Sequence, residues 1–393
     1  MAPPAADVDV QTPPAVVPVP TKGFITPAHS SASKLSGPLT YSGSLDAYEH
    51  FDITNVIGRE FPNLQLSEIL HDDNKIRDLA ILVSQRGVVF FRSQDLSIED
   101  QKLLGQRLGE LTGKPDTSKL HKHALANSKR GIAVDENGKL DDEVSVISSE
   151  QNRKYYADRY GYSAKKLASE GWHADITFEH IPSDYAILKI VQPPEDVGGD
   201  TLWASGYEAY DRLSPALQKL ADGLTATHHQ PNFVKVKETF GAELIDEFRG
   251  APENNGLDFK AEHPVVRTNP VTGWKSLFGA GHQVHAGWIN GVTERESEIL
   301  KSYCELSLTS KSNYRVPLLT GETVYQLISE NHDLQVRFRW NKNDLAVWDN
   351  RSVFHTATYD YTGKRQGNRV VSLGEKPYFD PNSKSRREAL GLL

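Results

Sequence analysis

The residues best suited to metal chemistry here are histidines with a carboxylate two positions on. The chain holds three such H-x-D triplets: His50/Asp52, His71/Asp73 and His173/Asp175. A neutral imidazole and an ionised carboxylate on one side of the backbone can share a cation, but the same spacing also makes an ordinary polar face. Context separates the three. His50 and Asp52 sit at the margin of a tail. His71 and Asp73 fall within Leu66 to Gln85, where apolar residues recur at helical spacing, and on a helix positions i and i+2 point to different faces. That pair reads as solvated surface. In "GWHADITFEH", which starts at Gly171, strand alternation would put Trp172, Ala174 and Ile176 on one face and His173, Asp175 and Thr177 on the other.

A distant segment completes a possible donor set. "LAVWDNRSVFHTATYDY" reads as an apolar strand, a turn at Asp349–Arg351, and a second strand carrying His355. Two histidines and one carboxylate on one face of an octahedron leave three positions open, the arrangement of non-haem Fe(II) oxygenases. Those positions would admit a bidentate oxo-acid and O2. The far end of an oxo-dicarboxylate needs a cation, and a planar guanidinium suits a carboxylate better than an ammonium. Arg365 and Arg369 follow His355 by 10 and 14 residues and share a face if the segment is extended. Taken singly, each of these residues has a plain structural reading as a strand pair or core side chain.

Other chemistries lack their signatures. There is no G-x-S-x-G elbow, phosphate-binding G-x-x-x-x-G-K-[ST] loop or H-E-x-x-H helix. "GAGHQVHAG" contains G-x-G without the strand and helix of a dinucleotide site. His228 and His229 are adjacent, hence on opposite sides of a strand, and read as structural. His282 and His285 stay unassigned.

Positioning such residues requires strands. "GVVFFR", "DYAILKIVQ", "GGDTLWAS" and "RVVSLGEKPY" read as strands. Helices are expected at "LSIEDQKLLGQRLGE" behind Ser97, at "SPALQKLADG", and at "TERESEILKSYCELSL" with a Thr293/Glu296 capping box. Many short strands with few helices favour a β-barrel or jelly roll. Residues 1–45, Pro-rich and then Ser/Gly/Thr-rich, read as a disordered tail before a single domain of residues 46–393. Residues 112–170, polar and aperiodic, read as an active-site lid.

The length of 393 residues allows a large core, and the net charge of −8 argues against a nucleic-acid binder. The lone Cys304 fits a reducing, cytoplasmic setting; no secretory signal or membrane span is expected. A homo-oligomer, dimer or tetramer, is compatible with this composition.

The segments "WHADITF", "GGDTLWASGYEAYDRLSP", "LAVWDNRSVFHTATYDY" and "RVVSLGEKPY" resemble, in order and spacing, the taurine dioxygenase-like (TauD/TfdA) family. The resemblance implies a mainly β fold, a double-stranded β-helix, and Fe(II), 2-oxoglutarate and O2 as cofactor and cosubstrates. It implies His173, Asp175 and His355 as iron ligands, with Thr201 and Arg365 on the far carboxylate of 2-oxoglutarate and Arg369 beside an anionic substrate. The gap from His355 to Arg365 is one residue shorter than in taurine dioxygenase, so either arginine could take either role. "LHKHAL" resembles a family segment with a substrate-facing histidine, which would be His123; Ala124 stands where the family has proline. The implied reaction is oxidation of a C–H bond in a small organic anion. That anion would be an alkyl sulfonate such as taurine, with release of sulfite and an aldehyde. The alternative is hydroxylation, desaturation or cyclisation of an amino-acid-like or other carboxylate.

Overall fold

The computed structural model describes residues 31–125, 141–150, 167–305 and 331–392. Its centre is a seven-stranded sheet. The strand order is Phe51–Asp52, Arg59–Phe61, Val88–Phe91, Leu345–Asp349, Ser183–Gln192, Gln366–Leu373 and Val144–Ser148. Facing it is a three-stranded sheet in the order Gln335–Phe338, Thr201–Ser205, Val353–Ala357.

Period-two alternation divides the core. Val88, Phe90, Ala186, Leu188, Ala346 and Trp348 turn toward the small sheet and join Trp203, Val336, Phe338 and Val353 in one cluster. Phe90 stacks on Phe338 at 4.1 Å and meets Trp203 edge-on at 5.2 Å. Their neighbours Val89, Phe91, Tyr185, Ile187, Leu345 and Val347 face the other way, under helices Asp73–Arg86 and Ile98–Glu110. Strands buried on both faces read as continuous apolar runs, which is why "VVFF" and "AILKIV" stand out in the sequence. This is the expected double-stranded β-helix, with helices Asp73–Arg86 and Ile98–Glu110 covering the outer face of the large sheet.

Local capping follows the sequence at Ser97, whose hydroxyl accepts from Asp100 N while the Asp100 carboxylate answers Ser97 N. The helix expected over Leu66–Gln85 is broken in two. Leu66–Ile69 ends, and Asp72 caps Asp73–Arg86 by accepting from Asn74 N and Lys75 N. His71 lies exposed in the break, and Asp73 pairs with Arg107. Asp52 pairs with Arg59, and His50 Nδ1 bonds Tyr48 O. Neither triplet is set up for a metal.

Two boundaries differ from expectation. The disordered tail does not extend to residue 45: Ser42 and Ser44 bond the buried Asp78 carboxylate through both amides and hydroxyls, and Leu45 is fully buried. A short-range polar composition concealed this long-range anchor. Residues 1–30 lie outside the described residues. Within the expected lid, Val144–Ser148 is an edge strand on Gln366–Leu373, and Leu120 bridges Ser372. Residues 126–140 and 151–166 of that lid lie outside the described residues. No helix among the described residues is long and apolar enough to cross a membrane.

Candidate metal centre

Among the described residues one group of side chains is set for a metal: His173, Asp175 and His355, whose donor atoms lie within 4.8 Å of one another. His355 sits mid-strand on Val353–Ala357, paired on one side with Trp203. On its other side it exchanges both backbone hydrogen bonds with His173, at 3.0 and 2.8 Å. Residues so paired project their side chains to the same face, and the two imidazoles lie 4.2 Å apart.

The strand expected through "HADITF" does not form. Pairing is limited to His173, after a 3-10 turn at Ala168–Gly171, and the chain then turns. Ile176 adopts φ +49°, a conformation that costs a β-branched residue on the order of 1–3 kcal/mol. Asp175 therefore reaches the imidazoles through a turn, not through strand parity. Side chains from elsewhere take the backbone groups that a ladder would have paired. Asn350 Oδ1 accepts from Asp175 N, and Gln283 Oε1 accepts from Phe178 N.

The donor set fits a divalent cation. His173 Nδ1 donates to Gly171 O at 2.8 Å, which leaves the Nε2 lone pair for a metal. Nε2 of His173 is 4.0 Å from Asp175 Oδ1, and Nε2 of His355 is 3.9 Å from Oδ2. An ion with bonds of ~2.1 Å spans up to ~4.2 Å between two ligands. Oδ2 is buried with no hydrogen-bond partner among the described residues, an acceptor that a cation would satisfy. Burial, and for His173 the adjacent His355, hold both imidazoles below their ordinary pKa, so they present lone pairs at neutral pH. Burial alone would raise the Asp175 carboxyl. The Arg369 guanidinium is the chief influence against it, and the carboxyl ends below its usual range, ionised at neutral pH.

Arg369 pairs with Leu188 in the large sheet and faces the sandwich interior, where its Nη1 lies 2.5 Å from Asp175 Oδ1. Arg365 precedes that strand. It is buried, and its Nε donates to Gly199 O at 2.8 Å, which places it at the start of strand Thr201–Ser205. Thr201 Oγ1 accepts from Trp340 Nε1 at 3.0 Å, leaving its own proton free to be donated elsewhere. The two arginines thus occupy different places: Arg369 on the Asp175 carboxylate, Arg365 at Gly199, two residues before Thr201 in the chain.

His123 meets Phe233 edge-on at 5.4 Å and accepts from Leu125 N. Its neighbour His121 turns into the core beside the buried Glu179–Arg249 ion pair. Of the unassigned histidines, His282 comes within 6.0 Å of the His173 ring, held by Gln230 at 2.8 Å. His228 is fully buried, as a structural histidine would be. Sequence reasoning missed Gln283, Asn350 and His263, the last bonding the carbonyls of Thr177 and Glu179. The two glycines of "GAGHQVH" were the available signal. A cavity of about 500 Å3 lined by Leu35, Trp274, Tyr378 and Lys384 includes none of the three ligand residues.

Comparison with known proteins agrees with this geometry. The model of the family "Taurine catabolism dioxygenase TauD, TfdA family" matches residues 49–371. The chain is 46% identical, over 90% of its length and 98% of the relative, to the alpha-ketoglutarate-dependent dioxygenase btcD of Neocamarosporium betae. It is 33% identical, over 86% of its length and 74% of the relative, to a putative alpha-ketoglutarate-dependent sulfonate dioxygenase of Schizosaccharomyces pombe. In fold it resembles the crystal structure of a putative alpha-ketoglutarate-dependent taurine dioxygenase from Burkholderia xenovorans. That match has a TM-score of 0.58 at 24% identity and covers 86% of this chain and 93% of the other. The chain belongs to the TauD/TfdA family. It is an Fe(II)- and 2-oxoglutarate-dependent dioxygenase that uses O2 and acts on a small molecule.

Proposed function

We propose that the enzyme oxidises a C–H bond of a small organic anion, with Arg369 as the cation that brings this anion to the metal. The observation that carries the reading is a guanidinium 2.5 Å from the carboxylate of the His173–Asp175–His355 group, facing the sandwich interior. Nε2 of both histidines and the Asp175 carboxylate hold Fe(II). Bound there with 2-oxoglutarate and O2, the iron supplies the oxidising chemistry, in which decarboxylation to succinate and CO2 accompanies substrate oxidation. Arg365 and the Thr201 hydroxyl bind the far carboxylate of 2-oxoglutarate. Their support is Arg365's seat beside Gly199 and the hydroxyl orientation imposed by Trp340. Phe233 and His123 shape the approach on the Ile176–Phe178 side, where Phe178 meets Phe233 edge-on.

A carboxylate or amino-acid-like substrate is the first reading, because the relative at 46% identity carries no sulfonate in its name. An alkyl sulfonate is the second, supported by the relative at 33%. Hydroxylation beside sulfur would give an adduct that collapses to sulfite and an aldehyde. Succinate formation is measured with Fe(II), ascorbate and panels of carboxylates, amino acids and alkyl sulfonates, with sulfite assayed in parallel. Stimulation by carboxylates without sulfite supports the first reading; sulfite release supports the second. No stimulation by any small anion would refute the role given to Arg369. The lone Cys304 supports a cytoplasmic setting, and a homo-oligomer, to be tested by light scattering, is the proposed assembly.

A further inference from the structure

The turn that carries Asp175 is held by side chains from remote parts of the chain. Gln283 does the most. Its Oε1 accepts from Thr177 Oγ1 at 2.7 Å and from Phe178 N at 3.1 Å, and its Nε2 reaches back to Ala174 O at 3.5 Å. One amide thus grips the backbone on both sides of the metal-binding carboxylate. It is itself buried. Asn350 takes Asp175 N, and His263 takes the carbonyls of Thr177 and Glu179.

The segment that delivers Gln283 is built for close approach. Gly281 lies at φ +73°, and a Cβ there would fall 2.0 Å from Trp172 O and 3.4 Å from His173 Cβ. At Gly279, φ +81°, a Cβ would fall 2.1 Å from His228 Cε1. Gly281 lets the backbone press against the residues that begin the metal site, and Gly279 lets it press against the buried His228 ring. The left-handed Ile176 lies between the two points Gln283 holds, and a disfavoured conformation persists only where its surroundings over-determine it.

We infer that Gln283 is a positioning residue for Asp175: it fixes the strained turn so that the carboxylate meets the two imidazoles in one geometry. The inference rests on the reading of His173, Asp175 and His355 as the metal site. Outer partners that orient metal ligands commonly change metal affinity by roughly 10- to 100-fold when removed. Gln283 does so through the backbone instead of the ligand atom.

The test uses the full chain, stripped of metal, and Co(II) alone as probe, because its visible absorption reports ligand geometry as well as occupancy. Gln283→Leu should weaken Co(II) binding roughly 10- to 100-fold and alter the band shape. Thr177→Val, which removes one donor to Gln283 and leaves the amide in place, should shift both readouts less and in the same direction. Gln283→Glu keeps an acceptor for Thr177 and Phe178 but loses the donor to Ala174 O, so it should restore part of the affinity and spectrum that Gln283→Leu loses, a rescue that a mere packing role would not give. Should Gln283→Leu fail to fold, Thr177→Val carries the same comparison. Wild-type affinity and spectrum in both Gln283→Leu and Thr177→Val would overturn the inference, as would failure of Gln283→Glu to restore any of what Gln283→Leu lost. If the wild-type chain takes up no Co(II), the metal site itself is refuted and the inference falls with it.

Discussion

Substituting glutamine for each arginine in turn separates their roles. Glutamine suits position 365 because its amide can still donate to Gly199 O, the bond that now seats Arg365 Nε at 2.8 Å. What is lost is the charge that, on the proposed assignment, would face the 2-oxoglutarate carboxylate. Truncating one partner of a buried charged pair costs about 2–5 kcal/mol, about 30-fold to several thousand-fold in affinity. The Thr201 hydroxyl, oriented by Trp340, remains as a donor, so the lower part of that range is expected, about 30- to 300-fold in KM for 2-oxoglutarate. Arg369 is bonded instead to Asp175, and Arg369→Gln should leave the KM for 2-oxoglutarate nearly unchanged while uncoupled succinate formation survives. Initial rates of succinate formation against 2-oxoglutarate concentration read both. Loss of 2-oxoglutarate affinity in Arg369→Gln with retention in Arg365→Gln would refute the assignment and exchange the two roles. No change in either variant would remove both from the cosubstrate site.

Alanine at His173, Asp175 or His355 should each abolish turnover and weaken divalent-metal binding while far-UV circular dichroism stays native; full activity in any one would exclude that residue from the site. Deleting residues 1–45 should lower the melting temperature relative to deleting 1–30. The longer deletion exposes the buried Asp78 carboxylate and removes Leu45 from the core, a loss of about 2–4 kcal/mol, and equal melting temperatures would contradict it. Burial pushes the His228 imidazole down to about 3, and neither ring nitrogen has a hydrogen-bond partner among the described residues. The unfolded chain therefore takes up a proton that the folded chain refuses, so stability falls as pH drops from about 6.5 toward 3, by about 1.4 kcal/mol per pH unit at most. His228→Leu should flatten the fall in melting temperature across that window, and an unchanged pH profile would show that His228 does not carry it.

The sequence by itself marked the most deeply buried strands and the candidate metal ligands. Val88–Phe91, Ser183–Gln192 and Leu345–Asp349 are buried on both faces, and such strands leave continuous apolar runs that need no partner to be read. His173, Asp175, His355 and the arginines stood out because few residue types bind metals and dicarboxylates. Tertiary structure decided how they meet. Strand alternation assigned His173 and Asp175 to one face for a reason that does not hold: the chain leaves the ladder after His173 and turns through a left-handed Ile176. That turn exists because amides about 105 and 175 residues away hold its backbone, and no local pattern encodes partners at such separations. The same limit hid the anchoring of Ser42 and Ser44 on Asp78 and the strand at Val144–Ser148. A short polar segment reads as disordered until the buried carboxylate or sheet edge that satisfies it is brought alongside.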